Sequence, residues 1–222
     1  MRVVLEIGPK GRKVVAGAID WPGLDRSAGT EEKALDRLAA YLPRYAAVAE
    51  RTGLAQTFAA AADELEVVER TPGQSSTDFW GVAHVPSQTE AEEVLTDEQL
   101  ERRLTLLQAA WAFFEASAGE GPAELRPGSR GGGRSLMEIV RHVAYSEQHL
   151  WWPKVEVRTA VERLWDPATL AADRQAYLEA IRAYHVASKP ARRWPLAFLI
   201  RRTAQHALDH AWEIEDRDPG RA

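Results

Sequence analysis

Two histidines four residues apart stand in the segment Gln205-His206-Ala207-Leu208-Asp209-His210-Ala211-Trp212. On an α-helix that spacing puts both imidazoles on one face, about 6 Å apart along the axis. There they can converge on one divalent cation at about 2.0–2.1 Å each. Interior or rim histidines can share the spacing, so a third ligand has to come from another helix. His142, beside the apolar Ile139 and Val143, offers it. His149, seven residues further on and on roughly the same face, competes for the role. Burying a neutral imidazole without a partner is costly, and a shared ion explains three such groups aimed at one interior. Three nitrogen ligands leave at least one coordination position open, as in catalytic rather than structural sites. The ion expected is Zn²⁺, Ni²⁺, Fe²⁺ or Mn²⁺. Such an ion acidifies bound water toward neutrality, so that it can serve as base or nucleophile.

Around this triad, Glu147, Asp209 and Glu213 are candidates to accept the second ring N–H of a metal-bound imidazole. As solvated helix charges they would have no such role. Tyr145 and His149 are candidates for the pocket, and Trp151, Trp152 and Trp212 for its walls; core packing is the plainer role for tryptophan. The glycine-rich stretch Arg126–Arg134 precedes the His142 helix. Glycine backbone, a helix N-terminus and the cations Arg130 and Arg134 could hold a carboxylate or phosphate there. A connection between helices is the plainer and preferred reading of the same stretch, which lacks the Gly-Lys-Ser/Thr ending of a Walker loop.

Four helices must position these residues. Thr96-Asp97-Glu98-Gln99 and Ser135-Leu136-Met137-Glu138 are capping boxes. The first opens a helix with Leu100, Leu104, Leu107, Trp111 and Phe114 at helical steps, ending near Gly119. The second opens a helix through His142 to about Val157. Asp166-Pro167 caps a third helix with a first-turn proline, and Pro195 opens a fourth that reaches about Asp216. Residues before 96 mix signals. Val3–Ile7 and Val14–Trp21 flank the turn residues Gly8–Gly11 and predict a hairpin. Thr30 caps a helix that reaches Pro43 or bends there and continues to about Arg51, and Leu65–Arg70 predicts a further strand. Residues 74–95 read as a linker with one short strand at Phe79–His84. The expected fold class is therefore two-domain: a small α+β domain over residues 1–85, a linker at 86–95, an all-α four-helix bundle over 96–217, and a tail at 218–222.

The run His142-Val143-Ala144-Tyr145-Ser146-Glu147-Gln148-His149-Leu150-Trp151, with His206-x3-His210 on the last helix, resembles the DinB-like superfamily. The resemblance covers residues 96–217 and implies an up-down-down-up bundle with a metal triad of one His from the second helix and two from the fourth. Carried onto this chain, those are His142, His206 and His210. It further implies a metal-dependent transferase, isomerase or hydrolase, among them thiol-dependent enzymes that use a low-molecular-weight thiol cofactor, and a homodimer. Ala16-Gly17-Ala18-Ile19-Asp20-Trp21-Pro22-Gly23-Leu24, followed by Ala28-Gly29-Thr30-Glu31-Glu32-Lys33-Ala34, resembles HicB-like domains, a partial RNase-H-like βββα layer found in antitoxins. No evident DNA-binding segment accompanies it, so it reads as a docking, dimerising or ligand-capping module.

Composition narrows the classes. The chain has 222 residues and no cysteine, so disulfides, thiolate ligands and cysteine nucleophiles are excluded and a cytoplasmic home is expected. The net charge of −5, with no long basic run, argues against nucleic acid as a partner. No apolar run approaches the about 20 residues that span a bilayer. Two functions stay open: a metal-dependent enzyme acting on a small-molecule substrate, or a regulatory module whose N-terminal domain docks a partner while the helices serve as scaffold.

Overall fold

The computed structural model describes residues 1–122, 124–128, 132–159 and 166–221. Among them are four strands, β1 (Arg2–Ile7), β2 (Val14–Ala18), β3 (Asp25–Ala28) and β4 (Glu66–Pro72). There are eight α-helices: α1 (Glu31–Glu50), α2 (Ala55–Ala62), α3 (Ser75–Trp80), α4 (Gln88–Glu92), α5 (Asp97–Glu120), α6 (Leu136–Ser146), α7 (Pro167–Val186) and α8 (Leu196–Asp216). A π-helical turn, Glu147–Trp151, and a 3-10 turn, Trp152–Val155, follow α6.

The chain divides into two compact units. The first takes Met1–Ala110 and Ala197–Gln205; the second takes Trp111–Leu196 and His206–Ala222. This overturns the expected fold class. A separate all-α bundle behind an α+β domain is not formed: helices α1–α4 precede residue 96, the His142 helix is only 11 residues long, and α5 and α8 each supply residues to both units. Part of the reason is charge. Arg201, expected on a bundle helix, is buried in the first unit, where Asp25 and Glu90 accept its hydrogen bonds at 2.5 to 3.0 Å.

In the first unit the strand order is β3-β2-β1-β4, with β4 parallel to β1 and the other pairs antiparallel. The hairpin forms as its turn residues predict. Gly8 N donates to Lys13 O, and the Asp78 carboxylate accepts the backbone N–H groups of Lys10, Arg12 and Lys13. Helix α1 continues through Pro43 and buries Ala34, Leu38, Tyr45, Val48 and Ala49. Trp21, Tyr45 and Phe58 join edge to face or tilted, and the Tyr45 hydroxyl donates to Pro22 O at 2.8 Å. The strand expected at Phe79–His84 is absent. Gln74 and Thr77 make a reciprocal cap that starts α3 instead, and both aromatics at its end are exposed. A second cap, Ser87 with Glu90, starts α4 inside the expected linker.

In the second unit the predicted caps appear. Ser135 Oγ accepts from Glu138 N, and the Asp166 carboxylate accepts from Thr169 N. Ile139, Val143, Trp151, Trp152, Tyr177, Leu178, Ile181 and Trp212 are buried and form much of its core. Among the described residues no helix is long and apolar enough to cross a membrane.

Candidate metal centre

His142 comes from α6, and His206 and His210 from adjacent turns of α8; all three belong to the second unit. On α6 the caps and the buried Ile139 and Val143 fix which way the helix faces. His142 follows from that registry at the edge of the buried stripe. On α8 the four-residue step puts His206 and His210 in line.

The three rings form a nearly equilateral triangle, with centroids 5.0, 4.9 and 4.7 Å apart. One nitrogen from each lies within 4.8 Å of the others. His142 Nε2 and His206 Nε2 stand 3.2 Å apart. Two nitrogens on one ion at about 2.0–2.1 Å would stand about 2.9 Å apart at a right angle and about 3.4 Å apart at the tetrahedral angle. The observed separation falls between these values, so this pair stands at the spacing of two ligands on one divalent ion, with a nitrogen of His210 nearby. An N–H···N hydrogen bond would account for that pair alone; it leaves unexplained why His210 closes the triangle.

Electrostatics prepare the set. Glu213 Oε2 lies 2.8 Å from His210 Nδ1, and Arg217 Nη1 donates to Glu213 Oε1 at 2.8 Å. A carboxylate there favours the Nδ1–H tautomer, in which Nε2 of His210 carries the lone pair. Burial pushes Glu213 up, but the bonds from His210 and Arg217 outweigh it and hold the carboxyl below its usual range. Burial, then His210 and Arg134, lower the His142 pKa from 6.5 to about 4, so this ring is neutral and ready to ligate. Trp151 stands edge-on to His206 with centroids 6.1 Å apart and walls that side.

The depressed His142 has a consequence for the metal-stripped protein. As pH falls, the unfolded chain takes up this proton near 6.5, and the folded chain only near 4. The stabilisation is therefore present above about pH 6.5 and lost on the way down to about pH 4. Thermal melts of stripped wild type should fall over that window more steeply than those of His142→Gln. Parallel curves would sink the assignment of His142 as a half-buried neutral ring.

The other sequence candidates fall differently. Glu213 stands beside His210, bonded to its Nδ1. Glu147 does not: its two oxygens accept from Arg174 Nε and Nη2 at 2.9 and 3.0 Å, in a buried pair. His149 stacks on Tyr145 with centroids 3.8 Å apart and bonds Tyr145 O at 2.9 Å; both side chains are exposed and stand outside the triad. Asp209 is on the exposed face of α8. Trp152 and Trp212 are core residues, the latter against Phe113. Arg134 is exposed and acts on His142 only through its charge. Arg130 lies outside the described residues. Sequence reasoning missed Arg217; a cation four residues after an acid that itself follows a ligand by three was the available signal. Comparison with protein-family models, curated proteins and solved structures finds no match. The assignment of the centre therefore rests on its geometry and donor chemistry.

Proposed function

We infer that this chain holds one divalent ion, Zn²⁺, Ni²⁺, Fe²⁺ or Mn²⁺, through His142, His206 and His210, and acts as a metal-dependent enzyme on a small molecule. The reaction class is thiol-dependent transfer or isomerisation, or hydrolysis. The single observation behind this is the near-equilateral ring triangle with one member's tautomer fixed by a carboxylate. The resemblance of the histidine spacing to DinB-like proteins points the same way, and extends to a low-molecular-weight thiol cofactor and a homodimer. Absence of cysteine fits a cytoplasmic protein.

When bound, the ion would serve as a Lewis acid with a coordination position open to substrate or water. The chain's own residues do the rest. Glu213 accepts the hydrogen bond from His210 Nδ1–H and fixes that ring's orientation, while Arg217 fixes Glu213. Trp151 keeps solvent from one side of His206. Because Glu213 acts through His210, Glu213→Gln should weaken metal binding about 10- to 100-fold, measured by competition with a chromophoric chelator. Unchanged affinity would remove Glu213 from the centre.

The test of the whole reading is metal analysis of the purified protein, followed by chelator stripping and Co²⁺ titration. One equivalent of ion per chain and a saturable visible Co²⁺ spectrum are expected. Metal-free protein that takes up neither Co²⁺ nor Zn²⁺ would overturn the enzyme reading and leave the helices as scaffold.

A further inference from the structure

Helix α6 presents a second working face. Met137, Val140, Arg141 and Ala144 follow at helical steps and line a cavity of about 380 Å³. At 100° per residue the centre of this face lies roughly 150° around the helix from His142. The cavity is therefore separate from the histidine triangle. Phe114 and Ala118 of α5 and Leu170 of α7 supply further wall, all within the second unit. Its size and mostly apolar lining, broken by a few charged groups, are those of a small-molecule site.

The charged groups are arranged unequally. Arg174 is buried, with 7% of its side chain exposed, and Glu147 satisfies Nε and Nη2 from inside the core. The remaining corner, Nη1, is met by Glu115 Oε1 at 2.5 Å. Glu115 is itself 61% exposed, and both Arg174 and Glu115 line the cavity. The exposed carboxylate is the replaceable member of this pair, because Glu115 can swing into water without losing solvation. Another carboxylate arriving on an apolar body would meet the same Nη1 donor in a drier setting. Arg141 adds a second guanidinium to the wall.

We propose that this cavity binds a small carboxylate with an apolar body, which displaces Glu115 from Arg174. Glu115 is then a resident substitute for the ligand and Arg174 the anchor. Binding needs no ion at the histidines.

The probes are octanoate, octanol and octylamine, titrated calorimetrically into the full chain. Octanoate should bind one to one, at least about tenfold more tightly than octanol or octylamine, as a charge-assisted hydrogen bond implies. Glu115→Gln should tighten octanoate about two- to fivefold by removing the competitor. Ala118→Phe should abolish binding by filling the cavity; Ala144→Leu on α6 is the second filling variant if the first fails to fold. Chelator-stripped protein should bind octanoate unchanged. Octanoate no tighter than octanol, binding that survives in a folded filling variant, or binding lost on stripping would each overturn the proposal.

Discussion

Replacing His206 with alanine is expected to abolish stoichiometric metal binding, with a fall in affinity larger than the about 100-fold that marks loss of a supporting carboxylate. His206 is one of two nitrogens already 3.2 Å apart. Its removal leaves an ion with His142 from one helix and His210 from another, and two ligands do not hold a catalytic ion against water. The matched control is His149→Ala, which should leave metal content unchanged, because that ring is engaged with Tyr145 outside the triangle. Added Zn²⁺ should raise the melting temperature of stripped wild type and of His149→Ala, and not that of His206→Ala. Metal retained in His206→Ala, or lost in His149→Ala, would move the centre elsewhere.

The largest effect on folding is expected at Arg201. The residue is 1% exposed, and its guanidinium bonds Glu90 through Nε and Nη2 and Asp25 through Nη1. Both carboxylates are as deeply buried as the arginine. Burial already pushes the Asp25 carboxyl up, against the pull of Arg201. Arg201→Met keeps most of the volume and strands two buried acids, so the folded state should lose about 3–5 kcal/mol. For a chain of this size that corresponds to a melting temperature lower by about 10 °C. Adding Asp25→Asn should recover part of the loss, since it removes one of the two stranded charges. A near-neutral Arg201→Met in chemical denaturation would show that water reaches the cluster.

The His206–His210 pair and the placing of His142 near a buried face were legible because that information is local; the choice of His142 over His149 came only as an implication of the family resemblance. A four-residue step on one helix and a histidine beside a buried stripe on another are patterns that helical geometry fixes. The caps at Thr96, Ser135 and Asp166 were legible for the same reason. His149 was misplaced because seven residues return to one face only if the helix is uniform. The π-helical turn at Glu147–Trp151 widens the winding where His149 sits, and the ring leaves the face of His142. Glu147 was misread as a supporting acid because its partner, Arg174, lies 27 residues away. Arg201 was still less visible: Glu90 and Asp25 are 111 and 176 residues distant, and periodicity carries no sign of such pairs. The same charges undo the simple division into an α+β domain and a bundle. A helix whose first half buries an arginine among the residues of the first unit is no longer an element of one domain alone.

Arg217 has two further neighbours, Arg126 and Gly133. It donates through Nε to Arg126 O at 2.8 Å while holding Glu213, and it leaves no room beside Gly133, where a Cβ would sit 2.8 Å from its Nη2. Gly133, at φ +135°, holds a backbone conformation that L side chains rarely adopt, which favours glycine beside this guanidinium. The entry to one ligand helix and the exit from the other are clasped by a single side chain. That side chain thus joins, behind the three rings, the segment that leads into α6 and the end of α8.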